Sequence, residues 1–128
     1  FLLMHFVCGL VLAVIFQLAH VVEETVQPLP NNEGTIENTW AVHQLMTTAN
    51  FARRNKILSW YIGGLNYQVE HHIFPNISHV HYPEISKIVQ ATATEFGVPY
   101  NEFETFSEAF KSHMRLLKTL GQPSPQMA

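Results

Sequence analysis

Apolar and polar positions are unevenly spread along the chain, and the unevenness predicts most of its elements. Phe1 to Ala19 is almost entirely Leu, Val, Phe, Ala, Ile and Met, interrupted only by His5, Cys8, Gly9 and Gln17. Such a run approaches the ~20 residues needed to cross a hydrocarbon core of ~30 Å, and it predicts a transmembrane helix. A signal peptide fits less well, since a basic start and a small-residue cleavage site are missing; a buried helix of a soluble protein is the other alternative. His5 and Gln17, polar at membrane depth, are expected to face protein and not lipid. The run ends in His20-Val-Val-Glu-Glu, which places His20 where the helix leaves the membrane. Glu23 and Glu24 either hydrogen-bond metal-ligating imidazoles or are solvated, and solvation is favoured for at least one.

Between Gln27 and Asn38, Pro28, Pro30, Asn31, Asn32 and Gly34 predict an exposed loop. Trp40 to Asn50 regains apolar content and predicts a helix lying on the membrane surface or against the site. Arg53, Arg54 and Lys56 follow, touching lipid headgroups or an anionic part of a substrate, or forming a solvated turn. Ile57 to Phe74 predicts a helix or helix pair, with Gly63 and Gly64 allowing a bend and Pro75 and Asn76 ending it. His79 and His81 sit in a turn, where structural hydrogen bonds are favoured over ligation. A further helix begins near Pro83, with Ile85, Ile88, Val89, Thr92 and Phe96 at helical spacing before Gly97. Phe103, Phe106, Phe110, Met114, Leu117 and Leu120 make a second stripe, closed by Gly121. Both stripes are expected to be core, in helices that cap the site from the aqueous side, with His113 exposed or packed. The tail from Gln122 to Ala128, with two prolines, is expected to be disordered.

Composition sharpens this pattern. Of 128 residues, 13% are charged, well below the usual share of about a quarter, which is a membrane-like trait. The net charge of -3 supplies no basic field, so a nucleic-acid function is excluded. The single Cys8 allows neither an intrachain disulfide framework nor a thiolate zinc site, and is expected to be a small packed hydrophobe. The chain opens on Phe1, already inside the apolar run, and is read as a fragment or a processed product.

The chemistry concentrates in Gln68-Val-Glu-His-His-Ile-Phe-Pro75. In a helix Gln68, His71 and His72 fall at i, i+3 and i+4 on one face, a spacing suited to metal ligands. Adjacent imidazoles lie about 100° apart around the axis, so His71 and His72 could serve two neighbouring ions. Histidines embedded in apolar sequence need partners, and a hydrogen-bonded core histidine is the competing explanation.

The runs Trp40-Ala-Val-His-Gln, Thr47-Thr-Ala-Asn-Phe, Gly63-Gly-Leu-Asn-Tyr-Gln-Val-Glu-His-His-Ile-Phe-Pro and Ser78-His-Val-His-Tyr-Pro closely resemble the C-terminal part of membrane-bound fatty acid desaturases. The nearest group is the front-end type, similar to linoleoyl-CoA or delta-6 desaturases, and the resemblance runs from Phe1 to about Tyr100. It implies an all-α, integral-membrane helical fragment: the last transmembrane helix at residues 1–22, a loop at 23–39 and a helical cytosolic region at 40–121 carrying the third histidine box. It further implies two non-haem iron ions, with Gln68, His71 and His72 matching that box and His20 matching an additional histidine. Gln68 is the weakest of the four, because a neutral amide is a poor ligand and can instead orient a water. His43, His79 and His81 belong to the similar sequence but are not carried over as ligands.

For the parent protein the resemblance implies oxygen-dependent removal of two hydrogens from a fatty acyl chain linked to CoA, lipid or carrier protein. Electrons would come from cytochrome b5 or ferredoxin, at a site on the cytosolic side of a bacterial inner membrane or endoplasmic reticulum. The His-x-x-x-His box, a second His-x-x-His-His box and a cytochrome b5-like His-Pro-Gly-Gly are absent from this chain. They are expected upstream, and the fragment alone is expected to be inactive. A histidine-box lipid hydroxylase and a non-catalytic membrane-anchored binding or assembly protein are the competing functions.

Overall fold

The computed structural model describes residues 1–122 of the chain, so the expected disordered tail lies outside the described residues from position 123 onward. The element order is α1 (Leu2–His20), α2 (Trp40–Thr47), β1 (Ala49–Phe51), α3 (Lys56–Tyr61), α4 (Gln68–Ile73), a 3-10 turn (His79–His81), α5 (Tyr82–Glu95), β2 (Asn101–Phe103) and α6 (Phe106–Leu120).

Helix α1 follows its apolar run and, among the described residues, is the one helix long and apolar enough to cross a membrane. Most of it is exposed, with large apolar side chains such as Phe1, Leu3, Phe6, Leu10 and Phe16 uncovered, and burial begins at Ile15, Leu18 and Ala19. Cys8, expected to pack, is exposed. His5 and Gln17, expected to face protein, are exposed as well.

The all-α expectation is corrected by a two-stranded parallel sheet, with Ala49, Asn50 and Phe51 registered on Asn101, Glu102 and Phe103. Parallel strands need a long crossover, and here α3, α4 and α5 provide it. The expected helix over Trp40 to Asn50 therefore stops at Thr47, where Thr48 turns extended with φ -130° and ψ 145°. Asn101 Nδ2 donates to the free carbonyls of Leu45 and Thr48 at that helix end, 3.2 and 3.3 Å away.

Two apolar clusters flank the sheet. One joins the last turns of α1 to the strands and α6 through Ile15, Leu18, Ala19, Val22, Phe51, Phe103 and Ala109, with Leu58, Ile62 and Phe106 beside them. The other joins α2, α4 and α5 through Leu45, Val69, Val89 and Ala93. The anticipated stripes need correcting here. Helix α5 buries Tyr82, Ser86, Val89 and Ala93, while Ile88 and Phe96 stay exposed. Helix α6 buries Ala109 and Ser112 and leaves Phe110, Met114, Leu117 and Leu120 outside. Small residues let each helix approach its neighbour, so the buried face is rotated from the bulkiest one.

The expected helix pair between Ile57 and Phe74 is α3 and α4. Asn55 caps α3 by accepting from the Leu58 amide at 3.0 Å. Gly63 and Gly64, at φ 62° and 76°, turn the chain between the helices. A side chain at Gly64 would also meet His79, whose Cβ lies 2.7 Å from the position a Cβ would take.

A buried polar knot fixes α4 to the strands. Glu70 is fully buried; its Oε1 accepts from the Tyr100 hydroxyl and its Oε2 from Asn50 Nδ2, each at 2.8 Å. Asn50 Nδ2 also donates to the Tyr100 oxygen at 2.8 Å, and Asn50 Oδ1 accepts from the Val69 amide at 3.0 Å. Arg53, which pairs with Glu102, donates to the same hydroxyl at 3.3 Å and lies over the Tyr100 ring. Arg53 is therefore not free for headgroups; Arg54 and Lys56 are exposed. Burial raises the Glu70 carboxyl above its ordinary range, with Tyr100, Asn50 and Arg53 opposing the shift. Burial and the Glu70 charge push the Tyr100 hydroxyl far up, so it stays protonated and donates.

Tyr100→Phe leaves one Glu70 oxygen unpaired and is expected to cost about 1–3 kcal/mol. Asn50→Leu is expected to cost more, because it strands the Val69 amide as well. The double variant should lose less than the sum of the two in thermal unfolding of the detergent-purified protein. Additive losses would show that these groups do not act as one unit.

Candidate metal centre

Six residues of helix, Gln68 to Ile73, carry the site's chemistry, and Phe74 closes them with its amide bonded to the Glu70 carbonyl. The i, i+3, i+4 arrangement anticipated for Gln68, His71 and His72 is present, because all three lie within α4. Their surroundings differ. Gln68 is 0% exposed, and neither its Oε1 nor its Nε2 has a hydrogen-bond partner. His71 and His72 are half-buried, with ring centroids 5.9 Å apart and planes at 83°.

The C-terminal turn of α1 brings in His20, more than 40 residues earlier in the chain. Its ring lies 4.8 Å from that of His72, centroid to centroid. Residues of α2 hold both rings. His20 Nδ1–H donates to the Thr47 carbonyl at 3.3 Å, and His72 Nδ1–H donates to Gln44 Oε1 at 2.8 Å. Carbonyl and amide oxygens only accept, so each imidazole carries its proton on Nδ1 and keeps the Nε2 lone pair. His71 Nδ1 pairs with the Tyr82 hydroxyl at 3.3 Å, a group that can donate or accept. Burial, followed by the neighbouring His20 and His71, lowers the His72 pKa to about 4. Neutral imidazole with a free nitrogen is the form that binds metal.

The donor set is incomplete. Among the described residues no three His, Cys, Asp or Glu side chains form a group able to hold a metal ion. The histidines approach in pairs, His20 with His72 and His72 with His71. Glu23 and Glu24 do not join them: Glu23 bonds Arg115 Nε at 2.6 Å, and Glu24 accepts from Ser112 Oγ at 2.7 Å. His79 and His81 lie exposed on the 3-10 turn. His113 is half-buried and donates from Nδ1 to the Val21 carbonyl at 2.6 Å, at the end of α1.

Gln44, Thr47 and Tyr82, which hold the rings, were not singled out from spacing. Two signals were available. Gln44 and Thr47 lie in the stretches on which the family resemblance rests, and both fall within one turn of helix facing α4. A histidine that binds metal needs an acceptor on its other nitrogen, and a polar run such as His43-Gln44 inside an apolar helix is where to seek one. His43 itself has a buried Nδ1 with no partner.

Comparison with known proteins places the chain in a family. Residues 1–104 match the family described as fatty acid desaturase. The chain is 47% identical over 117 residues to the sn-1 linoleoyl-lipid 6-desaturase of Synechocystis sp., covering 91% of this chain and 33% of that protein. It is 46% identical over 112 residues to the enzyme of the same name from Arthrospira platensis, covering 88% and 30%. It is 46% identical over 110 residues to the acyl-lipid (8-3)-desaturase of Mortierella alpina, covering 86% and 25%. The chain thus spans a third or less of the length of these curated relatives. No solved structure matches it. With the match extending over most of its length and through the histidine pair, the chain belongs to the fatty acid desaturase family.

Proposed function

We propose that this chain is the C-terminal part of a membrane-bound desaturase that places a double bond in a fatty acyl chain, and that His20, Gln68, His71 and His72 are its contribution to a site for two non-haem iron ions. The observation that carries the proposal is the meeting of His20 with His72 across 52 residues of sequence, each with Nδ1 occupied and Nε2 free. The fully buried, unpartnered amide of Gln68 adds to this, because such a group costs about 1–3 kcal/mol unless something meets it. A bound water beside a metal, or the metal itself, would meet it.

When bound, iron supplies the oxygen-activating redox chemistry that acidic and basic side chains lack. The remainder falls to the protein. Gln44 and the Thr47 carbonyl hold two imidazoles in one tautomer and orientation, and Tyr82 steadies the third. The rings of His71 and His72 stand nearly perpendicular with centroids 5.9 Å apart, and their successive places on α4, about 100° apart around the axis, are consistent with service to two adjacent ions. Three imidazoles cannot satisfy two ions, so the remaining ligands are proposed to come from the rest of the parent protein. The overall reaction converts CH2–CH2 to CH=CH and reduces O2 to two waters with two electrons and two protons. The donor is proposed to be cytochrome b5 or ferredoxin. The names of the relatives favour a lipid-linked acyl substrate, and α1 is read as membrane-spanning with the histidines at its cytosolic end.

The parent protein purified anaerobically with Fe(II) is expected to retain non-haem iron, and His20→Ala, His71→Ala and His72→Ala to lose it together with desaturation. Gln44→Leu should weaken iron retention or activity roughly 10–100-fold without unfolding the protein. A parent protein that holds no iron would overturn the proposal.

Gln68→Met removes the orphaned amide at nearly constant volume. It is expected to raise the unfolding midpoint of the metal-free protein, by about 1 kcal/mol in stability, while lowering iron retention. Lowered stability with iron unchanged would assign Gln68 to packing. This chain alone, given O2, reductant and Fe(II), is expected to yield no unsaturated product by gas chromatography.

A further inference from the structure

Two exposed apolar faces flank the place where α1 enters the rest of the protein, and the metal site uses neither. On α3, Ile57 and Trp60 are 80% and 81% exposed, with Tyr61 beside them, while Leu58 on the same helix and Ile62 just after it join the apolar cluster that also holds the last turns of α1. On α6, Phe110, Met114 and Leu117 form one exposed line, while Phe106 and Ala109 pack into the same cluster. The α6 line is not a product of a loosely attached helix. A reciprocal capping box fixes its start, with the Glu108 amide donating to Thr105 Oγ1 at 3.2 Å and the Thr105 amide to Glu108 Oε2 at 3.1 Å. Its middle is tied to the end of α1: His113 donates to the Val21 carbonyl, the Glu23 amide donates to Ser112 Oγ at 2.9 Å, and Arg115 pairs with Glu23.

We infer that α3 and α6 form a collar that seats in the headgroup-to-acyl boundary of the bilayer around the exit of α1. The occupant of both faces is lipid. This rests on reading α1 as membrane-spanning, and the argument is continuity. At ~1.5 Å per residue, Ile15 lies about 8 Å along the axis from His20, the last residue of the helix, so residues packed on that stretch sit within one boundary layer of the point where the span ends. The residue types match that layer. Trp and Tyr favour it, and Lys111 and Lys118 border the α6 line on its outer flank, where their ammonium groups reach headgroups.

The test uses the full parent protein in its membrane, with a photoreactive benzoyl-phenylalanine placed singly at Phe110, Trp60, Thr119 or Leu10. Thr119 is exposed and about half a turn from the Phe110 line on α6. After irradiation, the Phe110 and Trp60 positions are expected to yield phospholipid adducts by mass spectrometry, in several-fold excess over Thr119. Adducts to another segment of the parent or to a second copy at Phe110 and Trp60, or none above Thr119, would overturn the collar. Leu10 separates the two readings. Lipid adducts at Leu10 without them at Phe110 and Trp60 would leave the membrane span standing and remove the collar; absence at all three would remove both.

Discussion

Glu70 is the constraint on which the site depends. A carboxylate cannot be buried without partners for both oxygens, since the effective penalty of desolvating an ion is several kcal/mol. Only a narrow arrangement meets that demand here: Asn50 must come from β1, Tyr100 from the residue preceding β2, and Asn50 must also receive the Val69 amide. Once these bonds exist, the rotation of α4 about its axis is set. Glu70 points into the sheet, and His71 and His72, about 100° and 200° further round, point away from it. The histidines are thus aimed by a residue lying between them and Gln68 that contributes no metal-binding role of its own. The same bonds explain why so short a sheet persists. Three residues per strand give little ladder, but each strand supplies, at or beside it, a partner that Glu70 requires.

The parts of the fold that were legible in the sequence are those set by local periodicity. The apolar run of α1, the glycine turn between α3 and α4, the proline that opens α5 and the i, i+3, i+4 placement of Gln68, His71 and His72 all depend on residues within a few positions of one another. The sheet was not legible, because three residues cannot display a period and their pairing partners lie about fifty positions away. Burial on α5 and α6 was misjudged for a related reason. Spacing identifies which side chains share a face, but close packing prefers the face with Ser86 and Ala93, or Ala109 and Ser112, where backbones approach. The candidate site was half legible. Its histidines stand in a distinctive motif, but Gln44 and Thr47 act through one side-chain oxygen and one backbone carbonyl, and a backbone carbonyl leaves no mark on composition.

Helix α1 serves two neighbours from opposite considerations, and this ties its axial position to site geometry. Ile15, Leu18 and Val22 are held by apolar packing, which tolerates sliding, whereas His20 is held by a directional hydrogen bond to Thr47 and faces His72. A slip of α1 by a single residue would carry His20 about 1.5 Å along the axis and 100° around it, enough to break both relationships. Apolar contact alone would not prevent that slip. The polar bonds from Ser112, His113 and Arg115 on α6 to the turn after α1 supply the missing directionality, fixing the axial position that the packing leaves loose. The register of a long apolar helix against an iron-ligand candidate is therefore decided by a few polar groups at its very end, 92 residues away along the chain.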